Sequence, residues 1–82
     1  MMAVAKPTDE KTFKDMLAID HERVVIVKFG ASWCRPCADM QPAFESLAAD
    51  LHNDGYNATL VEIDRDDMQD VFDEYDIRKM PT

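Results

Sequence analysis

Val24-Val25-Ile26-Val27 is a continuous β-branched run, interrupted by Lys28 and closed by Phe29. It leads through Gly30-Ala31-Ser32-Trp33 into the tetrapeptide Cys34-Arg35-Pro36-Cys37. Continuous rather than alternating apolarity predicts a strand covered on both faces, as in the middle of an α/β sheet. Beyond it, Cys37, Met40, Phe44, Leu47, Ala48 and Leu51 recur at spacings of three and four, which predicts an amphipathic helix. The two cysteines therefore stand where a buried strand hands over to the first turn of a helix.

The flanking sequence extends this alternation. A short, weak first strand is expected around Ala3 to Ala5, followed by a helix starting at Pro7-Thr8-Asp9-Glu10, with a capping Thr or Asp and acids in its first turn. Phe13, Met16, Leu17 and Ile19 give that helix its apolar stripe and carry it to about Asp20. Pro42 lies inside the cysteine-bearing helix and is expected to kink it, and Asn53-Asp54-Gly55 ends it. Thr59-Leu60-Val61-Glu62-Ile63 reads as a third strand, and Met68, Val71, Phe72 and Tyr75 form a helical stripe within an acidic stretch. The order β-α-β-α-β-α calls for right-handed crossovers and a largely parallel sheet. At 82 residues the chain has room for one domain, 1–82, with a thin core.

With 9 basic against 17 acidic residues, the formal net charge is −8. Such a surface repels phosphate backbones and anionic lipid, so neither nucleic acid nor membrane is expected as a partner. The longest apolar run is far too short to span a bilayer. The N-terminal residues Met1 to Pro7 lack a basic start followed by an apolar stretch, so no signal peptide is read and a cytoplasmic location is the default.

Two cysteines can form a structural disulfide, half of a metal site or a redox pair. Zinc needs two more ligands, and the chain has no further cysteine, while His21 and His52 lie on separate segments. Both histidines read as plain surface residues, and no metal is expected. The redox reading has a physical basis. Unpaired N–H groups of the first helical turn favour negative charge on Cys34, the nucleophile, and Cys37 is close enough to resolve a mixed disulfide. Pro36 fits the first turn, where its missing N–H costs nothing. Trp33 forms an apolar flap beside the sulfur. Arg35, beside Cys34, favours its thiolate and so tilts the pair toward a more oxidising potential.

Val25 to Cys37 resembles the active-site strand and turn of the thioredoxin family. Pro42 resembles the helix-kinking proline of that family, and Leu60 to Asp64 with Asp66 to Val71 resembles its eukaryotic cytosolic branch. Tyr75-Asp76-Ile77-Arg78-Lys79-Met80-Pro81-Thr82 is similar to the loop that ends in the family's cis-proline. The resemblance covers the whole chain. It implies a thioredoxin-like α/β fold lacking the two C-terminal strands and the closing helix, and protein-disulfide reduction through Cys34 and Cys37. It also implies no bound cofactor, only a redox-active disulfide supplied with electrons from NADPH through thioredoxin reductase. The partners it implies are that reductase and oxidised protein substrates. Pro81 is expected to be cis and to bring the Met80 backbone close to the sulfurs, where it pairs with an extended substrate strand.

The sequence departs from the family at several points. Arg35 stands where the family usually has Gly. Lys28 occupies the position of a buried Asp thought to help Cys37 lose its proton, and Leu60 stands where many bacterial members have a Lys. Lys28 is therefore a candidate modulator of thiol acidity, and Glu62, on the same strand face as Leu60, is a candidate partner for it. Without the C-terminal strands, Val24 to Phe29 is expected to form an open sheet edge, which is a template for pairing with another chain. A non-catalytic module that dimerises or binds a partner through that edge is thus the alternative to a reductase.

Overall fold

The computed structural model describes residues 4–18 and 22–82. The expectations for Ala3, Ile19, Asp20 and His21 fall outside them. Five elements follow in order: α1 (Glu10–Ala18), β1 (Val24–Gly30), α2 (Arg35–Asn53), β2 (Ala58–Asp64) and α3 (Gln69–Glu74). Strands β1 and β2 pair in parallel, with Val24 opposite Ala58 and Lys28 opposite Glu62. Of the expected first strand, the described residues Val4 and Ala5 show one bridge, at Ala5 on the far side of β2. Ala5 N–H donates to the Leu60 carbonyl at 2.9 Å, and Glu62 N–H donates to the Ala5 carbonyl at 2.9 Å. Pro7, which has no N–H to donate, follows two residues later.

Two apolar clusters lie on the two faces of this sheet. Phe13 of α1 and Val71 and Phe72 of α3 pack with Phe29, Val61, Ile63 and Met68. Phe44 and Ala48 of α2 pack with Val4 and Leu60. Odd-numbered strand residues therefore face α1 and α3, and even-numbered ones face α2, as the two-residue period of a strand requires. That parity puts Lys28 and Glu62 beneath the cysteine-bearing helix.

The helix ends follow from local chemistry. Asp9 caps α1, its Oδ1 accepting from the Thr12 N–H at 2.8 Å and its Oδ2 from the Thr12 hydroxyl at 3.0 Å. These hydrogen bonds hold the Asp9 carboxyl below its ordinary value, the backbone bond being the larger cause. Helix α2 ends at Gly55, whose φ is 80°. Gly55 N–H donates to the His52 carbonyl and Tyr56 N–H to the Leu51 carbonyl, a Schellman closure. Helix α3 ends the same way around Asp76, with φ 55°, Asp76 N–H donating to the Asp73 carbonyl and Ile77 N–H to the Phe72 carbonyl. Pro42 lies inside α2, where the Ala38 carbonyl finds no N–H one turn later.

Strand β1 is less covered than its apolar run suggests. Val24 is 60% exposed, Val25 to Val27 are half-buried, and only Lys28, Phe29 and Gly30 are buried. Met40 and Leu47 of the α2 stripe are likewise exposed. The open edge of β1 is also not wholly open. Phe29 and Thr82 exchange both backbone hydrogen bonds, at 2.8 and 3.1 Å, the arrangement of a hydrogen-bonded antiparallel pair. Val25 and Val27 share the parity of Phe29 and aim their backbone groups at the same edge. Among the described residues no strand lies along it there.

Candidate active site

Cys34 is the N-cap of α2, in extended conformation at φ −89° and ψ 109°, with Pro36 in the first turn. Its Sγ accepts from the Cys37 N–H at 3.3 Å, one of the donors that a helix start leaves unpaired. Cys34 and Cys37 are joined as a disulfide with their Cα atoms 5.3 Å apart, well within the span of such a bond. Both residues are buried. Gly30, at the end of β1, is what lets Cys37 pack so closely. A Cβ at position 30 would stand 3.2 Å from Cys37 Sγ and 3.4 Å from its Cβ.

The flanking side chains are placed by the turn after β2. Asp64 Oδ2 accepts from the Ser32 N–H at 2.7 Å, and Asp64 Oδ1 accepts from the Asp66 N–H at 2.8 Å. Asp66 Oδ2 in turn accepts from the Trp33 indole N–H at 3.0 Å. Trp33 remains 63% exposed, an apolar surface tethered at its polar atom beside the disulfide. Arg35 points away into solvent and pairs with Asp39 one turn on, Nε to Oδ1 3.2 Å. Its charge is therefore shared and solvent-screened rather than spent wholly on Cys34.

The Met80–Pro81 peptide bond is cis. Pro81 and Met80 are half-buried, and Met80 packs against the cluster around Phe29. The Phe29–Thr82 pairing anchors this segment to the end of β1, next to Gly30. Cys34, Arg35, Pro36, Cys37, Trp33 and the Met80–Pro81 segment are thus gathered where β1 and β2 end.

Behind Cys37 lies a charged cluster. Lys28, only 4% exposed, donates to the Cys37 carbonyl at 3.0 Å and to Gln41 Oε1. Its ammonium is 3.5 Å from Glu62 Oε2 and 5.8 Å from the centre of the Phe44 ring. Glu62 Oε1 accepts from Gln41 Nε2 at 2.8 Å and is 3.2 Å from Lys6 Nζ. The Lys28–Glu62 contact anticipated from strand parity is present. The cluster borders a cavity of about 510 Å³ that Cys37 also lines. Gln41 does not stand out in the sequence, and Asp64 and Asp66 stand out only as part of the stretch that resembles the family, with no role read for them. Gln41 has one signal, a position one turn after Cys37, whereas the loop path brings Asp64 to the Ser32 N–H and Asp66 to Trp33.

Among the described residues no group of His, Cys, Asp and Glu side chains could hold a metal ion. A dithiol at a helix start beside a cis-proline has thiol–disulfide exchange as its chemistry. The Thioredoxin family model matches residues 4–82. The chain belongs to the thioredoxin family. It is 36% identical over 80 residues to the thioredoxin of Homo sapiens, covering 96% of this chain and 72% of that one. To the thioredoxin of Mus musculus it is 38% identical over 74 residues, covering 89% and 66%. A crystal structure of a thioredoxin from Nicotiana alata superposes with a TM-score of 0.87 at 24% identity, over 98% of this chain and 68% of that one. The chain thus spans roughly two thirds of the length of these relatives. It carries the fold and the Cys34–Cys37 pair of a thiol–disulfide oxidoreductase.

Proposed function

We propose that this thioredoxin-family chain reduces protein disulfides. In the reduced form, Cys34 attacks a substrate disulfide. A bond forms between Cys34 Sγ and one substrate sulfur, and the other substrate sulfur leaves as a thiolate. Cys37 then attacks Cys34 Sγ, re-forming the intramolecular disulfide and releasing the second substrate thiolate, so that two electrons pass from the dithiol to the substrate. The observation that carries this reading is Cys34 as N-cap of α2, with its sulfur already accepting a first-turn N–H. The same donors favour the Cys34 thiolate, both as nucleophile and as leaving group.

The backbone at Met80, next to the cis Pro81, and the apolar face of Trp33 offer an extended substrate segment one edge to pair with and one surface to lie on. Arg35 contributes a solvent-screened charge, and Lys28 belongs to the same site behind Cys37. Electrons return from NADPH through thioredoxin reductase, in the cytoplasm, where dithiols are kept reduced. The resemblance to mammalian thioredoxins supports this arrangement. The edge of β1 at Val25 and Val27 is a surface through which two copies associate, alongside the redox activity rather than instead of it.

The test is NADPH-coupled reduction of insulin by this chain with thioredoxin reductase. Turnover is expected for the chain and none for Cys34→Ser. Equal turnover in the variant, or none in either while a full-length thioredoxin is active, would reject the reading.

A further inference from the structure

We infer that the Lys28 ammonium is a positioning charge for the resolving thiol Cys37, held behind it by Gln41 and drawn away from it by Glu62. The inference rests on the reductase reading and specifies what governs its second step. An ammonium that is 4% exposed needs a reason to be there, because burying a cation is costly unless it is paired and hydrogen-bonded. Lys28 is satisfied by the Cys37 carbonyl, Gln41 Oε1 and Glu62 Oε2. One of these three lies on Cys37 itself, and Gln41 is one turn further along α2.

Position 30 reports how near the thiol lies. A single point, the Cβ that Gly30 lacks, is 3.2 Å from Cys37 Sγ and 3.9 Å from Lys28 Cε. The Lys28 stem and the Cys37 sulfur therefore flank the same gap. The charged groups lining the adjoining cavity are Lys6 before α1, Lys28 on β1, Glu62 and Asp64 on β2, and Asp67 in the following turn. From α2 the cavity receives Cys37, Ala38 and Gln41, and α1 and α3 pack on the opposite face. Lys28 is the cation held by the Cys37 carbonyl, and Glu62 is the anion bonded to both Lys28 and Gln41.

In the oxidised chain Cys37 is neutral and Glu62 is the principal counter-charge of Lys28. Once the pair is reduced, a thiolate at Cys37 gains the same ammonium as a second counter-charge. An opposite charge beside a thiol lowers its pKa, and a competing carboxylate raises it again. The proton Cys37 loses passes to solvent. The thiolate then attacks Cys34 Sγ as described above. Lys28 touches no substrate and takes no proton, and its effect is on the fraction of Cys37 present as thiolate.

The test separates the two sulfurs with a bis-nitrobenzoate disulfide whose released thiolate is coloured. The reduced chain releases one equivalent when Cys34 attacks the probe and a second when Cys37 displaces the remaining aryl thiolate from Cys34. The pH midpoint of the second release reads Cys37. In Lys28→Met that midpoint is expected to rise by about one to three pH units. In Glu62→Gln, which removes the competing anion and keeps a hydrogen-bonding side chain, it is expected to fall. A merely structural cluster would move both variants the same way. The inference is overturned if the shifts share a sign, if Glu62→Gln leaves the midpoint unmoved, or if Lys28→Met only slows the second release uniformly across pH. Loss of the first release from the unmutated chain would instead remove the reductase reading itself.

Discussion

At the scale of single residues, two helix ends solve one problem with different side chains. Both α2 and α3 close with a residue in the left-handed region, Gly55 at φ 80° and Asp76 at φ 55°. Glycine adopts that region freely, whereas a residue with a Cβ is crowded against its own carbonyl there. Asp76 keeps an exposed ion pair with Arg78 at 2.8 Å, which is worth little in water. Asp76→Gly is therefore expected to stabilise the chain by up to about 1 kcal/mol, and Gly55→Ala to destabilise it by about 1 kcal/mol. Urea denaturation of the two variants checks both signs. A loss of stability in Asp76→Gly would show that the carboxylate contributes more than the backbone strain costs.

Among the elements, α1 carries a pH dependence of its own. The Asp9 carboxylate accepts two hydrogen bonds from Thr12, and its pKa is lowered in the folded chain. A depressed folded pKa means that the cap's contribution is present above the unfolded value near 3.9 and is lost as pH falls through the folded value. Thermal melts of Asp9→Ala and the parent chain are expected to differ at neutral pH, with the variant lower, and to converge in strong acid. A gap that persists undiminished in acid would assign the effect to something other than the charged cap. Helix α2 shows the limit of reading elements from periodicity. Its stripe is correctly placed, yet Met40 and Leu47 are exposed while Phe44 and Ala48 are buried. The helical spacing shows that these residues share a face, but not which part of that face is covered.

For the whole molecule, the controlling feature is the sheet. Strand β2 is central, with Ala5 on one side and β1 on the other, whereas among the described residues β1 is closed only at Phe29 by Thr82. Val25 and Val27 aim their backbone groups at the uncovered part of that edge, and Val24, 60% exposed, precedes them. An exposed apolar edge recruits further strands unless charge or curvature prevents it. The 82-residue chain is expected to associate with rising concentration in size-exclusion chromatography with light scattering. Val24→Lys, which places a charge on the edge without entering the core, is expected to shift the chain toward monomer. A strictly monomeric parent chain across the concentration range would remove the edge as an association surface.

The parts of this protein legible in its sequence are those that local chemistry decides. Four β-branched residues in a row make a strand, spacings of three and four make helices, and Asp9 and Gly55 cap them. Cys34-Arg35-Pro36-Cys37 places a dithiol at a helix start, because two cysteines separated by one turn are neighbours in any helix. Strand parity was enough to bring Lys28 and Glu62 to one face. Long-range placement was decided only by the tertiary structure. Ala5 bridged to the far side of β2, Thr82 closed one end of an edge expected to be bare, and Arg35 turned to Asp39. Asp66 reached Trp33 across 33 positions, and Gln41 joined Lys28 to Glu62. Each of these contacts depends on where two separately folded segments come to lie after the sheet and α2 have packed. No side chain carries that information in its own neighbourhood, which is why the dithiol is visible in the sequence and its surroundings are not.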